Sequence, residues 1–207
     1  MDNRLENNLA VVSGFIATPF TYNHEVFGEK FYSFDIVARR GSGTCDVIPC
    51  LISERLLEVT RDFTNQYVSI NGQFRSKNKE RENGTKCLSL SLFVRNIEFT
   101  ESCEFDRNDI FLEGYICKTP FYRVTPLGRE IADLLLAVNR PYGKSDYVPC
   151  ILWGRNARYV ETLPVGTKIN LWGRIQSRDY NKRVSDEDFE LRTAYEVSVS
   201  RIAVTEE

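Results

Sequence analysis

The sequence predicts an all-β protein built from two tandem copies of one small barrel, and three observations carry that prediction. Along most of the 207 residues, apolar and polar side chains alternate with the period of two that marks half-buried strands. The second half repeats the first at an offset of 100 residues. Each half also contains one helix-like segment, at the same place in the order of its strands.

The repeat comes first because it sets the domain count. Gly14, Ile16 and Gly28 match Gly114, Ile116 and Gly128, and Arg40, Gly43, Asp46, Pro49, Cys50 and Arg55 match Arg140, Gly143, Asp146, Pro149, Cys150 and Arg155. One inserted residue later, Gly72 and Ser76 match Gly173 and Ser177. Val94, Ile97, Thr100 and Glu101 match Val199, Ile202, Thr205 and Glu206 near the two ends. Two copies are expected, over 1–103 and 104–207, joined by SCEFDRN. That junction is short and poor in Gly and Pro, which implies copies held close together.

In the first copy the alternation predicts strands near 9–18, 29–39, 46–53, 67–76 and 87–99. In the second it predicts them near 110–118, 129–139, 146–153, 168–177 and 193–204. Between the third and fourth strands of each copy lie SERLLEVTRDF and GRNARYVETL, where Leu56, Val59 and Phe63, and Ala157, Val160 and Leu163, recur at helical spacing. Three strands, a helix and two strands in about 100 residues is the element order of an OB-fold, a five-stranded Greek-key barrel. Periodicity alone leaves another small α+β arrangement open.

Composition excludes several classes. No apolar run reaches the roughly 20 residues needed to span a bilayer, and the polar, acidic start MDNRLENNLA lacks the features of a signal peptide, so a cytoplasmic location is expected. The six cysteines are scattered with no CxxC pair and there is one histidine, His24, so reduced thiols are expected and no metal or cofactor site is read. Neither a GxxxxGK[ST] phosphate loop nor a Ser/His/Asp arrangement is legible, which argues against an enzyme. The net charge of −2 is no signature of a polyanion binder, so local patches must decide.

The informative patch lies in the second copy. On the strand YVPCILW, Val148, Cys150 and Leu152 fall on one face, and Tyr147, Ile151 and Trp153 on the other. If the first set fills the barrel, large rings face outward. Cations surround them: Arg140 and Lys144 before the strand, Arg155 after it, and Arg174, Arg178 and Lys182 on the next strand and its loop. Tyr142 and Tyr180 sit in the segments RPYGKS and RDYNKR, read as loops. Rings interleaved with Arg and Lys suit single-stranded nucleic acid, whose bases stack on the rings while cations track the phosphates. On KINLWGRIQS, Trp172 also points outward, which marks an interface with a subunit or a ligand.

LAVNRPYGKSDYVPCILWGRNA, followed by LPVGTKINLWGRIQSRDY, resembles the bacterial single-stranded DNA-binding protein family over nearly all of the second copy. The resemblance rests on a strand ending in an aromatic-Gly pair before the helix and a Gly-Thr start to the fourth strand. It implies sequence-tolerant binding of single-stranded DNA in replication and repair, with Tyr142, Tyr147, Trp153 and Tyr180 as stacking residues. It also implies four OB-folds acting together, which two chains would supply as a homodimer with Trp172 near the seam. The sequence closes on RIAVTEE after the last strand, so recruitment through the acidic tail usual in that family is not expected.

The first copy reads as the same fold with a weaker face. Ser42, Val47 and Ser53 stand at the positions of Tyr142, Tyr147 and Trp153. Arg40 and the basic loop RSKNKER with Arg75, Lys77 and Lys79 remain, so a secondary electrostatic contact with DNA is expected, with assembly or a use of Phe31, Phe20 or Tyr22 left open. The competing function is an assembly or interaction subunit of primosome-like or mobile-element type, with weak affinity for DNA.

Overall fold

A computed structural model of the chain describes residues 6–80, 84, 86–183 and 189–205, and of Lys86 and Tyr142 the backbone alone. Six strands form the first half: β1 (Asn8–Ile16), β2 (Thr21–Val26), β3 (Glu29–Arg39), β4 (Cys45–Ser53), β5 (Tyr67–Glu80) and β6 (Lys86–Phe99). The second half runs β7 (Asn108–Ile116), β8 (Phe121–Val124), β9 (Glu130–Asn139), β10 (Ser145–Trp153), α1 (Arg155–Glu161), β11 (Lys168–Arg183) and β12 (Phe189–Val204).

Each half closes into a five-stranded barrel. β1 pairs with β3 and β5, β3 with β4, β5 with β6, and the parallel pair β4–β6 completes the ring. The second barrel repeats this circuit, with β10–β12 as its parallel pair. Closure removes the unpaired edges that an open sheet would expose. Alternate residues of every barrel strand fill the two interiors, among them Val12, Ile36, Ile48, Ile70 and Leu92, and Leu112, Leu136, Val148, Leu171 and Val197. This is the pair of OB-folds that the alternation predicts.

Two repeated glycines explain their recurrence. A Cβ on Gly14 would stand 2.2 Å from the Val37 carbonyl oxygen, and one on Gly114 would stand 2.4 Å from that of Ala137. These are the points where β1 crosses β3 and β7 crosses β9, and only glycine fits so close an approach.

The first copy departs from expectation at its helix, since residues 54–63 are turns. In the second barrel the chain leaves β10 through Gly154 at φ 51, a left-handed turn that opens α1. The first barrel has Glu54 at that position, and the same turn would cost a side-chain-bearing residue about 1–2 kcal/mol. Val59, Thr60 and Asp62 are also weak helix formers, and the Asp62 side chain instead accepts the Thr64 N–H at 2.9 Å. Phe63 still reaches the core, while Leu56 is left exposed.

Three further differences concern strands. β2 and β8 are short strands paired to β3 and β9 outside the barrels, and their mostly exposed residues carry no alternation to read. The segments around Lys79 and Tyr180, expected as loops, belong to long hairpin arms. Their polar residues pair across strands, as when the Thr193 hydroxyl donates to Asp179 at 2.7 Å.

The barrels join through antiparallel pairing of β1 with β7, from Asn8–Leu112 to Val12–Asn108, so twelve strands form one continuous sheet. A reciprocal lock reinforces the joint. Asp46 accepts the Ser177 N–H at 3.0 Å while the Ser177 hydroxyl accepts the Val47 N–H at 2.9 Å. In the opposite sense, Asp146 accepts the Ser76 N–H at 2.5 Å and the Ser76 hydroxyl accepts the Tyr147 N–H at 2.7 Å. The junction is fastened too, since Asp106 accepts the Arg39 N–H at 2.6 Å and the Tyr67 hydroxyl at 2.8 Å.

Candidate nucleic-acid interface

The strand β10 presents its rings as its alternation requires. Tyr147 is 45% exposed and Trp153 36%, with Val148, Cys150 and Leu152 buried in the barrel. Ile151, expected outward beside them, is covered at 6% exposure. At about 3.3 Å per residue the two rings stand about 20 Å apart, so they serve different bases. The Trp153 indole N–H lies 3.3 Å from the Ser198 hydroxyl on the parallel neighbour β12.

Tyr180 projects from the arm of β11, 37% exposed, with the Arg178 guanidinium 5.9 Å from its ring centre. It lines a cleft of about 550 Å³ floored by Pro149 of β10 and walled by Tyr195, Arg192, Glu190 and Glu196. Tyr180 thus meets the outward face of β10 across this cleft. Lys182 is exposed farther along the same arm, and Arg155 is exposed at the start of α1, just past Trp153. The Tyr142 side chain lies outside the described residues; its backbone forms a single 3-10 turn, Pro141–Gly143.

Other expected contacts fall elsewhere. Arg40 and Arg140 are fasteners. The Arg40 guanidinium makes two bonds to Asp46, which is 0% exposed, and that of Arg140 makes two to Asp146 and donates to the Ser76 carbonyl at 3.1 Å. A buried carboxylate needs such a partner, so these arginines hold the joint rather than a phosphate. Arg174 lies between the barrels, in a cleft of about 510 Å³ with Arg39, Arg40, Arg107, Asp106 and Asp109. Its Nε is buried with no partner among the described residues, and burial and Arg40 both lower the pKa of its guanidinium.

Trp172 is half-buried on the outer face of the joined sheet. Its ring centre is 5.2 Å from that of Phe111, and the Arg201 guanidinium lies 4.5 Å from it on the other side. Leu9, Phe111, Trp172 and Arg201 are successive partners across β1, β7, β11 and β12, so they make one stripe on one face.

In the first barrel, Lys77 and Lys79 are exposed on the arm of β5, and Lys77, Arg75 and the second barrel's Lys144 and Arg140 border one cleft. Sequence reasoning passed over Phe93 and His24, which border it as well. The signal was present: aligning the copies through the parallel pairs sets Phe93 opposite Leu51 as Ser198 is opposite Ile151, a ring gained where its counterpart has none.

Comparison with known proteins agrees with this geometry. The Single-strand binding protein family matches residues 107–205, the second barrel. The single-stranded DNA-binding protein of Halalkalibacterium halodurans is 35% identical over 81 residues, which cover 36% of this chain and 48% of that protein. Single-stranded DNA-binding protein A of Bacillus subtilis is 34% identical over 83 residues, 37% of this chain and 48% of the relative. The chain spans about half the length of the curated relatives it matches. Over both barrels, the single-stranded DNA binding protein of Thermus aquaticus superimposes with a TM-score of 0.75, covering 97% of this chain and 93% of that one at 18% identity, a likeness of fold. Through its second barrel, with the outward rings of β10 and the Trp-Gly entry to α1, this chain is similar to the Single-strand binding protein family over residues 107–205.

Proposed function

We propose that this protein binds single-stranded DNA with little regard to sequence and without catalysis, using mainly its second barrel. One observation carries the reading: β10 exposes Tyr147 and Trp153, whereas β4 keeps the same inward set, Ile48, Cys50 and Ile52, with Val47 and Ser53 outside. The fold does not require the two rings, so their exposure is for a ligand. Bases stack on Tyr147, Trp153 and Tyr180, and Arg155, Arg178 and Lys182 hold the phosphates. The six unpaired cysteines suit a reducing compartment such as the cytoplasm, and no helix among the described residues is long and apolar enough to cross a membrane.

The stripe formed by Leu9, Phe111 and Trp172 supports a homodimer. An outer sheet face with large, partly exposed apolar residues is stabilised by a second copy on it, giving an assembly of four barrels. Light scattering is expected to give the mass of two chains, and a monomer at micromolar concentration would reject this arrangement. The main reading is tested by fluorescence polarisation of labelled oligo-dT and of a duplex of equal length. Oligo-dT alone is expected to bind at low salt, and Trp153→Ala to weaken it about tenfold. Equal affinity for duplex, or no effect of the substitution, would count against it.

A further inference from the structure

The first barrel has lost the rings of β10 but has not lost aromatic surface. Ser53 stands where Trp153 stands, opposite Phe31 on β3, whereas Trp153 is opposite Ile131 on β9. On the other side of that position, Phe93 of β6 replaces Ser198 of β12, the residue against which the Trp153 indole rests. One ring is absent from the central strand and two are present on the strands flanking it.

These rings are organised. His24 stacks on Phe31 with ring centres 5.1 Å apart and planes 11° from parallel. Phe31 leans on Phe93 at 6.0 Å, and the Arg75 guanidinium lies 3.8 Å over the Phe93 centre. Four planar groups therefore form one row along the wall of the barrel. His24, Phe93 and Arg75 border a cleft of about 590 Å³, a volume in the range of sites that hold small organic ligands.

The charge around the cleft is one-sided. Arg75 and Lys77 of the first barrel and Lys144 of the second line it, together with Arg140, whose charge Asp146 offsets, and among the described residues no carboxylate lines it. The cleft beside Tyr180 has Glu190 and Glu196 against a single Arg192. Burial, with Arg140 close by, brings the Arg75 guanidinium down to about 10 despite Asp146, as befits cations gathered without enough counter-charge. The cleft is also composite, because the turn ending in Lys144 reaches it only through the lock between Asp146 and Ser76.

We infer that the first barrel holds a second site for single-stranded nucleic acid, in which a base stacks against the row of His24, Phe93 and Arg75 while phosphates meet Lys77 and the second barrel's Lys144. This rests on the reading of the second barrel as a binder of single-stranded DNA, and it makes the first barrel a stacking surface in its own right. Leu90 borders both this cleft and the one beside Tyr180, so the two clefts adjoin and one strand can occupy both.

The test uses the full chain and oligo-dT carrying 5-iodo-deoxyuridine, with photocrosslinks located by mass spectrometry and affinity measured in parallel. Wild type is expected to crosslink at the peptide containing Phe93 as well as at the one containing Trp153. Phe93→Ser, which installs the second barrel's residue, and Lys77→Glu, at an exposed position that leaves packing intact, should each weaken binding about fivefold or more. Both should also abolish the first-barrel crosslink while sparing that at Trp153. Wild-type affinity in both variants with no first-barrel crosslink, while Trp153→Ala still weakens binding, would overturn this inference and leave the proposed function standing. No binding of oligo-dT by wild type at low salt would overturn both.

Discussion

Arg140 and Arg155 look alike in the sequence, both repeated in the first copy and both close to β10, yet the structure separates them. Arg140 is bound to a carboxylate that is 2% exposed, whereas Arg155 is exposed beside Trp153. Arg140→Ala leaves Asp146 buried without its counter-ion and is expected to cost about 3 kcal/mol in urea unfolding. Arg155→Ala should leave stability unchanged and reduce the slope of log affinity against log salt by about 0.7, the share of one phosphate on a single strand. The inverse pattern would reverse the two assignments. Sequence reasoning could not make the distinction, because an arginine's partner is set by which strands meet. Arg40–Asp46 and Arg140–Asp146 stand six residues apart at matched positions in both copies. Repetition of the arginine and the aspartate together, at one spacing, is the mark of the joint; Arg155 recurs as Arg55 with no repeated acidic partner six residues on.

At the level of elements, alternation located all ten barrel strands within a few residues, because each buries one face and the period of two is then imposed by the core. It overlooked β2 and β8, which bury no complete face, and it placed a helix where the first barrel has turns. That error has a local cause. Leu56, Val59 and Phe63 have helical spacing, but entry into a helix straight from the strand needs the φ of 51 that Gly154 supplies and Glu54 does not. Gly154→Ala is therefore expected to destabilise the protein by about 1–2 kcal/mol in chemical denaturation, and Glu54→Ala to change it by less than about 0.5 kcal/mol. Equal effects would show that the glycine is not what permits α1. The hairpin arms of β5 and β11 read as loops for the opposite reason. Far from the core their residues are polar on both faces, and cross-strand pairs such as Arg178 with Glu196 replace burial as the cause of the strand.

For the whole molecule, the arrangement of the two barrels makes a surface that neither has alone. Pairing of β1 with β7 aligns the copies about a pseudo-two-fold, and the serine–aspartate lock sets the turn of each barrel beside the arm of the other. Lys144 of the second copy consequently borders a cleft of the first. Net charge of −2 concealed this, since a total says nothing of the local excess of Arg75, Lys77 and Lys144 around that cleft. The repeat and the outward rings of β10 were legible from sequence; the shared cleft was not, because it depends on how the copies meet. The central claim is that single-stranded DNA lies on the outer face of β10. The chain has two tryptophans, Trp153 on that face and Trp172 in the stripe beside Phe111, so intrinsic fluorescence with single substitutions reports the claim directly. Titration with oligo-dT at low salt is expected to quench the wild type and Trp172→Phe, and to leave Trp153→Phe nearly unquenched. Absence of quenching in the wild type, or quenching that survives Trp153→Phe and disappears in Trp172→Phe, would contradict it.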